Sequence, residues 1–406
     1  SDITYTGAVE ISSSETQTDK TYSSTSSDEN ALLIKTSEEV TINNPTVTKS
    51  GDSDGGDNSN FYGLNAGILV KDGSKTTITG GTINTSANGA NGVFSYGGNG
   101  GNNGAEGDGT TVTIRNTKIV TTGGGSGGIM TTGGGTTYAY DLDITTSGQS
   151  SAAIRTDRGG GTVVVDGGTY TSNGLGSPAI YSTADITVSN STLTSNLSEG
   201  VCIEGLNSIT LNNSNLTANN TKRNGNAKFL DSIMIYQSMS GDAESGTSTF
   251  TMKGGTLTGR NGDQIYVTNT HSVITLEDVT ITNQDASGRL LAILGNDATR
   301  GWGTAGANGG QVDLTTTNQT LTGAIEVDTV STLNFTMGKG TNFTGTINIV
   351  ENAEGGTAVD NNAVITVEEG ATWTLTGNVT ITSLENKGTI NFNGYTITLA
   401  DGTVLK

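Results

Sequence analysis

Residues 151–177 read SAAIRTDRGGGTVVVDGGTYTSNGLGS. Three short β-type runs lie in this stretch, at 153–156, 162–165 and 169–171, and the Asp-Gly-Gly at 166–168 is typical of a turn. The segment that follows repeats the same plan with different residues. A strand–turn–strand–turn–strand unit of this length cannot bury its own apolar side chains, so it must stack on copies of itself, as in a solenoid.

The same plan continues along the chain when paired apolar residues are aligned. The first strand of each repeat is then marked by Ile68, Val93, Ile129, Ile154, Ile180, Val201, Ile233, Ile265, Leu291, Ile325 and Ile347. Gly or Asn stands at the corner between the second and third strands of most repeats, and both residues tolerate positive φ. The pattern predicts an all-β chain: a single-stranded right-handed parallel β-helix of about 12 coils, with three strands per coil.

The predicted organisation has two parts. Residues 1–30 are expected to form an N-terminal edge or cap segment, and residues 31–406 the β-helix, with plainer coils from about Gly323. We see no strong helix pattern. Long insertions flank the first strand of several coils, at 49–65, 97–110, 219–231, 238–248 and 295–311. Because long loops on a rigid scaffold commonly build binding surfaces, we expect a cleft along the first sheet.

Composition and charge narrow the class of protein. Only 32% of the residues are apolar, below the roughly 45–50% of an ordinary globular domain, but their i, i+2 spacing favours strands over disorder. The net charge of −20 disfavours nucleic acid as a partner, since its recognition requires clustered Lys and Arg. With one cysteine and no long apolar run, we expect no disulfide framework and no membrane insertion. We expect a monomer.

Strand alternation places the residues next to the aligned positions on the outer face of the first sheet. Aromatic and charged side chains recur there, and rings can stack on sugar faces while charged groups bind hydroxyls or carboxylates. The candidate binding residues are Arg155, Asp157, Arg158, Tyr181, Glu204, Tyr236 and Tyr266. Two alternatives stay open: the long loops fold over this face and bury a satellite core, or the three charged residues at 155–158 form a structural ion-pair cluster.

Metal-binding and catalytic patterns are sparse. Residues 51–60 read GDSDGGDNSN, in which carboxylates alternate with small residues, and calcium takes six to eight oxygen ligands. The predicted ligands are Asp52, Asp54 and Asp57, and calcium is the one cofactor suggested; the alternative is a solvated polar loop. Cys202 is expected to be a small buried residue. His271 lies in a predicted loop, and no Ser/His/Asp set is predicted.

Six segments carry a resemblance to a known fold family. They are 63–70 (GLNAGILV), 77–83 (TITGGTI), 126–130 (SGGIM), 151–158 (SAAIRTDR), 176–182 (GSPAIYS) and 199–204 (EGVCIE). Over roughly residues 30–350 the chain resembles pectate-lyase-like right-handed β-helices and, more closely, secreted clostridial and other gut-bacterial adhesin-like or carbohydrate-binding β-helix proteins. The resemblance implies a secreted or cell-surface bacterial protein that binds an extended polysaccharide, acidic ones included, or a host glycan, with calcium assisting.

Three hypotheses for function follow. The first is a non-catalytic adhesin or carbohydrate-binding module. The second is a calcium-dependent polysaccharide lyase, because the resemblance implies an Arg or Lys base, for which Arg155 and Arg158 are the candidates. The sequence departs from that pattern, since no three acidic ligands are predicted on adjacent coils. The third is a structural stalk or a protein-binding adhesin.

Overall fold

A computed structural model describes residues 3–54, 56–100, 106–223 and 228–406. The protein is all-β, as predicted, and its long stacks of parallel strands are compatible with a β-solenoid. By internal contacts the chain divides into two compact units. Unit 1 comprises Ser1–Val201 and Ser240–Glu244, and unit 2 comprises Cys202–Met239 and Ser245–Lys406.

Unit 1 contains eighteen strands and a short helix in its described part. In chain order they are β1 (Gly7–Ile11), β2 (Glu15–Thr18), β3 (Thr21–Ser24), β4 (Asn30–Lys35), β5 (Glu39–Asn43), β6 (Thr46–Lys49), α1 (Gly56–Tyr62), β7 (Ile68–Lys71), β8 (Lys75–Thr79), β9 (Thr82–Thr85), β10 (Val93–Tyr96), β11 (Thr111–Arg115), β12 (Lys118–Thr121), β13 (Ile129–Thr132), β14 (Gly135–Thr146), β15 (Ile154–Thr156), β16 (Gly161–Ser172), β17 (Ile180–Ser182) and β18 (Asp185–Ser195).

The first parallel stack of unit 1 runs β1, β4, β7, β10, β13, β15, β17. Its register places Ile68 beside Val93, and then Ile129, Ile154 and Ile180 in succession. This is the predicted alignment, and it is confirmed. All five side chains are buried, because alternate residues of each strand point into the interior.

The remaining strands of unit 1 form two further parallel stacks. One runs β2, β5, β8, β11 and the other β3, β6, β9, β12, and both continue through the long strands β14, β16 and β18. Each long strand turns a corner at residues with positive φ, namely Asp141 (54°) in β14, Gly167 (82°) and Gly168 (117°) in β16, and Asn190 (54°) in β18. In these three coils the corner is therefore a bend within a continuous strand.

Unit 2 contains the strands that follow, the first of which begins at the last residue of unit 1. In chain order they are β19 (Val201–Glu204), β20 (Ser208–Asn212), β21 (Asn215–Ala218), β22 (Asp231–Tyr236), β23 (Thr247–Lys253), β24 (Thr256–Gly259), β25 (Asp263–Thr268), β26 (His271–Glu277), β27 (Thr280–Asn283), β28 (Leu291–Ile293), β29 (Gln311–Thr317), β30 (Thr320–Asp328), β31 (Thr332–Met337), β32 (Asn342–Val350), β33 (Ala363–Val367), β34 (Thr372–Thr374), β35 (Val379–Thr380), β36 (Ser383–Asn386), β37 (Thr389–Asn391), β38 (Ile397–Thr398) and β39 (Val404–Leu405).

Unit 2 repeats the parallel arrangement. Its first stack runs β22, β25, β28, β30, β32, and its second runs β20, β23, β26, β29, β31, β33, β36. The register Ile233, Ile265, Leu291, Ile325, Ile347 again confirms the predicted alignment. The strands β38 and β39 pair antiparallel.

Two local predictions need correction. The insertion at 49–65 was expected to be a loop without a helix, but it contains α1. Seven residues cannot hold a helix by local propensity alone, and the burial of Phe61 supplies the missing stabilisation. Second, β2 and β3 lie within residues 1–30, which were expected to form only an edge or cap segment. Together with β1 they pair in parallel with β4–β6, so the predicted cap segment contributes strands to the same three stacks.

The outer face of the first stack in unit 1 is covered. Leu33, Leu69, Phe94 and Met130 form one outward row across four strands, and each is fully buried in a cluster that also includes Ala66. A satellite core beneath the loops, one of the alternatives left open by the sequence, is what the structure shows here. No helix in the described part of the chain is long and apolar enough to cross a membrane.

Candidate functional site

Arg155, the first predicted binding residue, is an internal cross-link of unit 1. It is only 8% exposed, and its Nη1 donates to Asn91 Oδ1 (2.9 Å) and Gly125 O (3.0 Å), while its Nη2 donates to Asn60 Oδ1 (3.2 Å). Burial lowers the pKa of the Arg155 guanidinium, and the charge of Asp157 acts in the opposite direction. A guanidinium held in this way ties the helix α1 to two loops, at Asn91 and Gly125.

Asp157 and Arg158 are the next two candidate binding residues on the chain, and each has contacts of its own. Asp157 is 8% exposed, and its Oδ1 accepts a hydrogen bond from the backbone N–H of Arg158 (2.8 Å). The Arg158 side chain pairs with Asp242 (2.8 Å), and its guanidinium lies 4.5 Å from the ring centre of Phe61 on α1. Arg158 thus fastens the helix and the segment at 240–244 to unit 1.

The predicted aromatic residues divide between the two units. Tyr181 is half-buried and pairs in register with Arg155. In unit 2, Tyr236 is buried against Trp302, with ring centres 4.7 Å apart, and Glu204 accepts a hydrogen bond from Ser238 Oγ. Loops therefore cover these two positions, so a sugar cannot reach the Tyr236 ring without displacing Trp302.

The predicted calcium ligands lie in unit 1 and are all exposed. Asp52 Oδ1 accepts from Asn88 N (2.9 Å), Asp54 Oδ1 accepts from Ser27 Oγ (3.1 Å), and Asp57 lies in the first turn of α1. Gly55, in the same segment, lies outside the described residues. Among the residues that are described, no three His, Cys, Asp or Glu side chains are grouped to hold a metal ion. Calcium binding stays a prediction.

A cavity of about 280 Å³ in unit 2 includes Tyr266 in its lining, and a neighbouring cavity of about 430 Å³ shares Phe229, Arg289 and Glu326 with it. We call the two together the Arg289 pocket. Its apolar lining includes Phe229, Tyr266, Leu294 and Val350. Its charged lining consists of Asp263, Asp285, Asp297, Glu326, Asp328, Glu351 and Glu354, with Lys228 and Arg289 as the cations.

Strand register brings the centre of the pocket together. Ile265 pairs with Leu291, so Asp263 and Arg289, each two residues earlier, are neighbours. Arg289 donates to both oxygens of Asp263, most closely from Nη2 to Oδ2 (2.8 Å), and from Nη1 to Glu326 Oε2 (3.4 Å). Its guanidinium also lies 4.6 Å from the ring centre of Phe229. Such bidentate, stacked geometry holds the arginine in one orientation.

One wall of the pocket is fastened by a buried carboxylate. Asp328 is 2% exposed, and it accepts hydrogen bonds from Gly295 N (2.7 Å), Asn352 Nδ2 (2.6 Å) and Ser331 Oγ (2.7 Å). These bonds join the connection after β28 to the connection after β32. At the mouth, Lys228 pairs with residues of the same two connections, Asp297 (3.6 Å) and Glu354 (3.3 Å). The pocket is therefore built by fixed loops on adjacent strands.

Aromatic residues form the floor of the Arg289 pocket. The rings of Phe229 and Tyr266 meet edge to face, with centres 4.7 Å apart. Burial, followed by the charges of Asp231 and Asp328, raises the pKa of Tyr266 above its usual value, against the influence of Thr268 and Arg289. The phenol therefore stays neutral at any physiological pH.

The sequence placed Tyr266 on the outer face of the first sheet and predicted the flanking insertions at 219–231 and 295–311, but it did not identify Arg289 and Glu326 as part of a site. Asp263 and Arg289 precede their strands by two positions, and they would have been found had the aligned columns been extended backwards. Glu326 continues the outward row from Tyr266 through Ala292. Nothing in the sequence predicted that residues 351–354 line a site, because the connection after β32 was not among the long insertions.

A second opening lies in unit 1, a cleft of about 450 Å³ that we call the tyrosine cleft. Tyr5, Tyr62 and Tyr96 line it, and the last two meet edge to face at 5.6 Å. Lys71 Nζ lies 4.2 Å from the ring centre of Tyr5 and 3.2 Å from Asp72 Oδ1. Burial raises the pKa of Tyr96 to about 12. The cleft thus combines three rings with one balanced pair of charges.

The two residues set aside as catalytic candidates lie away from both openings. Cys202 is buried, as expected. His271 contacts Asp313 through Nε2 (2.7 Å) and Thr247 through Nδ1 (3.0 Å), which the sequence did not predict. The side chains of Thr247, His271 and Asp313 stand on neighbouring strands of the second stack. Those of His271 and Asp313 are 42% and 45% exposed. This open position gives the trio no enclosed site in which to hold a substrate.

Comparisons of the chain with family models, with curated proteins and with solved structures find no match. The function therefore has to be inferred from the geometry of the structure, and the Arg289 pocket and the tyrosine cleft are openings that carry aromatic side chains together with charged ones.

Proposed function

We propose that the protein is a non-catalytic carbohydrate-binding β-solenoid that holds a segment of an extended polysaccharide in the Arg289 pocket. We further propose that its parallel stacks wind as a right-handed β-helix of the pectate-lyase type with about 12 coils, since parallel crossovers are almost always right-handed. A secreted or cell-surface location in a bacterium, and a monomeric state, complete the proposal.

The observation that carries the proposal is the rigid mixture of surfaces in the Arg289 pocket. Half-buried Phe229 offers apolar ring surface backed by the buried ring of Tyr266, and Arg289 and its carboxylate partners offer fixed polar groups beside it. A sugar ring has apolar C–H faces and a hydroxyl edge, so this pairing of surfaces matches it. Small-ligand sites combine apolar side chains with polar groups that fix the orientation of the ligand, and both kinds of group line this pocket.

The tyrosine cleft supports the same function independently. Tyr5 and Tyr96 pack one side against the buried cluster of unit 1 and line the cleft with the other. Tyrosine is favoured at binding surfaces because its ring is apolar while its hydroxyl forms hydrogen bonds. The cleft thus offers unit 1 a ring-lined surface of its own.

Affinity electrophoresis tests the proposal. The protein is run through gels containing neutral, amino and uronate polysaccharides, with calcium and with a chelator. We expect retardation by at least one polysaccharide, and Phe229→Ala should weaken binding at least about tenfold by removing the ring beneath Arg289. Tyr395→Ala, which removes an exposed ring of unit 2 outside the pocket, is the control and should migrate like the wild type.

The possible results distinguish a wrong location of the binding site from a wrong function. If folded Phe229→Ala is retarded as strongly as the wild type, polysaccharide binds elsewhere. If no polysaccharide retards the wild type, the carbohydrate-binding function itself is wrong. Retardation that occurs with calcium and is lost only in the gels that contain chelator would support the predicted calcium site at Asp52, Asp54 and Asp57.

A further inference from the structure

We infer that the Arg289 pocket selects a glycan that carries amines, such as a chain of unacetylated amino sugars, over one that carries carboxylates. This inference rests on the proposed function, because it names the class of sugar held in the same pocket. It departs from the resemblance noted in the sequence, which implied that acidic polysaccharides are among the ligands.

The charge of the pocket is the first step. Among the described residues, seven carboxylates and two cations line the two cavities, so five negative charges have no compensating cation in that part of the lining. The whole chain adds to this field with its net charge of −20. A cavity lined mainly by one sign of charge concentrates ligands of the opposite sign and repels those of the same sign.

Both cations of the pocket already have partners, which is the second step. Arg289 is held by Asp263 and Glu326, and Lys228 by Asp297 and Glu354. A uronate could reach either cation only by competing with a carboxylate of the protein. Because Asp263 is held by several hydrogen bonds and is 3% exposed, displacing it would leave a buried charge without its partner.

The carboxylates at the edges of the pocket are kept ionised, which is the third step. Hydrogen bonds from Ser287 and Gly262 lower the pKa of Asp285, and those from Thr299 lower the pKa of Asp297. These two carboxylates therefore keep their negative charge at neutral pH.

The apolar lining makes the ligand a sugar rather than a simple cation. Phe229, Leu294 and Val350 lie among the charged groups, and exposed Glu351 stands beside Val350 on the connection after β32. A ring that packs on these side chains can direct an equatorial amine to a carboxylate at the rim. The cavity and its rings define the site, and the carboxylates decide which sugar it accepts.

The tyrosine cleft provides an internal comparison. Its lining holds one cation and one carboxylate, Lys71 and Asp72, which pair with each other. Because these two charges cancel, the tyrosine cleft should not distinguish an amine from an acetamide. Any preference for amines should therefore arise from the Arg289 pocket alone.

Isothermal titration with two matched oligosaccharides tests the inference. The glucosamine hexamer and the N-acetylglucosamine hexamer differ only in the acetyl groups, and at about pH 5.5 the amines are protonated while ordinary carboxyl groups are ionised. We expect the glucosamine hexamer to bind at least about tenfold more tightly, with the advantage shrinking as salt is added. Glu351→Gln should reduce that advantage, and Glu385→Gln, an exposed carboxylate outside the pocket, should leave it unchanged.

Equal affinity for the two hexamers would overturn the inference and leave the proposed function standing. Tighter binding of a galacturonate hexamer in the presence of chelator would overturn it as well. If the glucosamine hexamer fails to bind while another glycan retards the protein in gels, the inference is again wrong. Failure of every glycan in both experiments would overturn the proposed function together with the inference.

Discussion

At the scale of single residues, strand alternation identifies which side chains face outward but does not identify which of them reach solvent. Arg155 and Tyr266 were both predicted on the outer row of the first sheet. One is an internal cross-link and the other floors a cavity. The difference arises from loops whose packing depends on contacts far apart in sequence, such as Arg155 with Asn60 and Asn91. A local pattern cannot contain that information.

Removing Arg155 should destabilise unit 1 rather than abolish ligand binding. Arg155→Ala leaves the oxygens of Asn91 and Gly125 without their charged donor, and hydrogen bonds to a charged group contribute about 1.5–3 kcal/mol. We expect thermal unfolding at a clearly lower temperature, with binding at the Arg289 pocket unchanged. Arg115→Ala, an exposed arginine stacked on Tyr140, should alter the melting temperature little. An unchanged melting temperature with lost binding would contradict this role.

Lys49 gives unit 1 a pH dependence of known sign. Its ammonium is buried and donates to the carbonyls of Ser26 (2.6 Å) and Ser50 (2.8 Å). Burial lowers the pKa of Lys49 from 10.5 to about 8, although Glu29 and other nearby carboxylates act to raise it. Between these two pH values the unfolded chain holds the proton and the folded chain releases it. The free energy of unfolding therefore rises with pH across this window.

A comparison with Lys49→Met isolates this contribution, because all other titrating groups are shared. Denaturant unfolding from pH 7.5 to 10 should show the wild type gaining about 1–3 kcal/mol relative to the variant. A difference that stays constant over that range would show that Lys49 keeps its ordinary pKa in the folded state.

At the scale of elements, the most predictable feature is the corner between the second and third stacks. Asn116 lies at such a corner between β11 and β12, with φ of 50° and an exposed side chain. For residues other than Gly, Asn and Asp, that conformation costs about 1–2 kcal/mol. Asn and Gly therefore recur at the corners for a backbone reason, and a single sequence reveals it.

Substitutions at Asn116 measure that backbone cost directly. Asn116→Val should lower the free energy of unfolding by about 1–2 kcal/mol, because a β-branched residue does not tolerate the left-handed region. Asn116→Gly is the matched control and should change it by much less. Equal losses for Val and Gly would show that the Asn side chain, and not its backbone conformation, is what the corner needs.

The elements that sequence reasoning missed share one property: their stability comes from contacts outside themselves. The strand β14 contains GTTYAYDLDITT, whose inward positions include Thr137 and Ala139 in place of Ile and Val. Its pairing with β11 and β16 on its two sides stabilises it. The helix α1 is held by Phe61, which packs under Arg158. Neither contact can be predicted from the residues that lie near it in the sequence.

At the scale of the whole molecule, periodicity and function are encoded in different places. The repeated apolar positions set the parallel stacks, which is why the register of the first stack could be predicted in both units. The Arg289 pocket depends on the connections between strands, where Asp328 and Lys228 fasten segments more than thirty residues apart. The sequences of those connections do not repeat along the chain. The residues that meet in the pocket can therefore be identified only from the structure.

The central claim is that a polysaccharide segment occupies the Arg289 pocket. Hydrogen–deuterium exchange in the presence of a saturating glycan tests it most directly, because it reports the bound region without altering any residue. The account predicts slowed amide exchange at 228–230, 289–297 and 351–354, with the rest of both units unchanged apart from any effect at the tyrosine cleft. Saturating glycan that leaves exchange in those three segments as fast as in the free protein would contradict it.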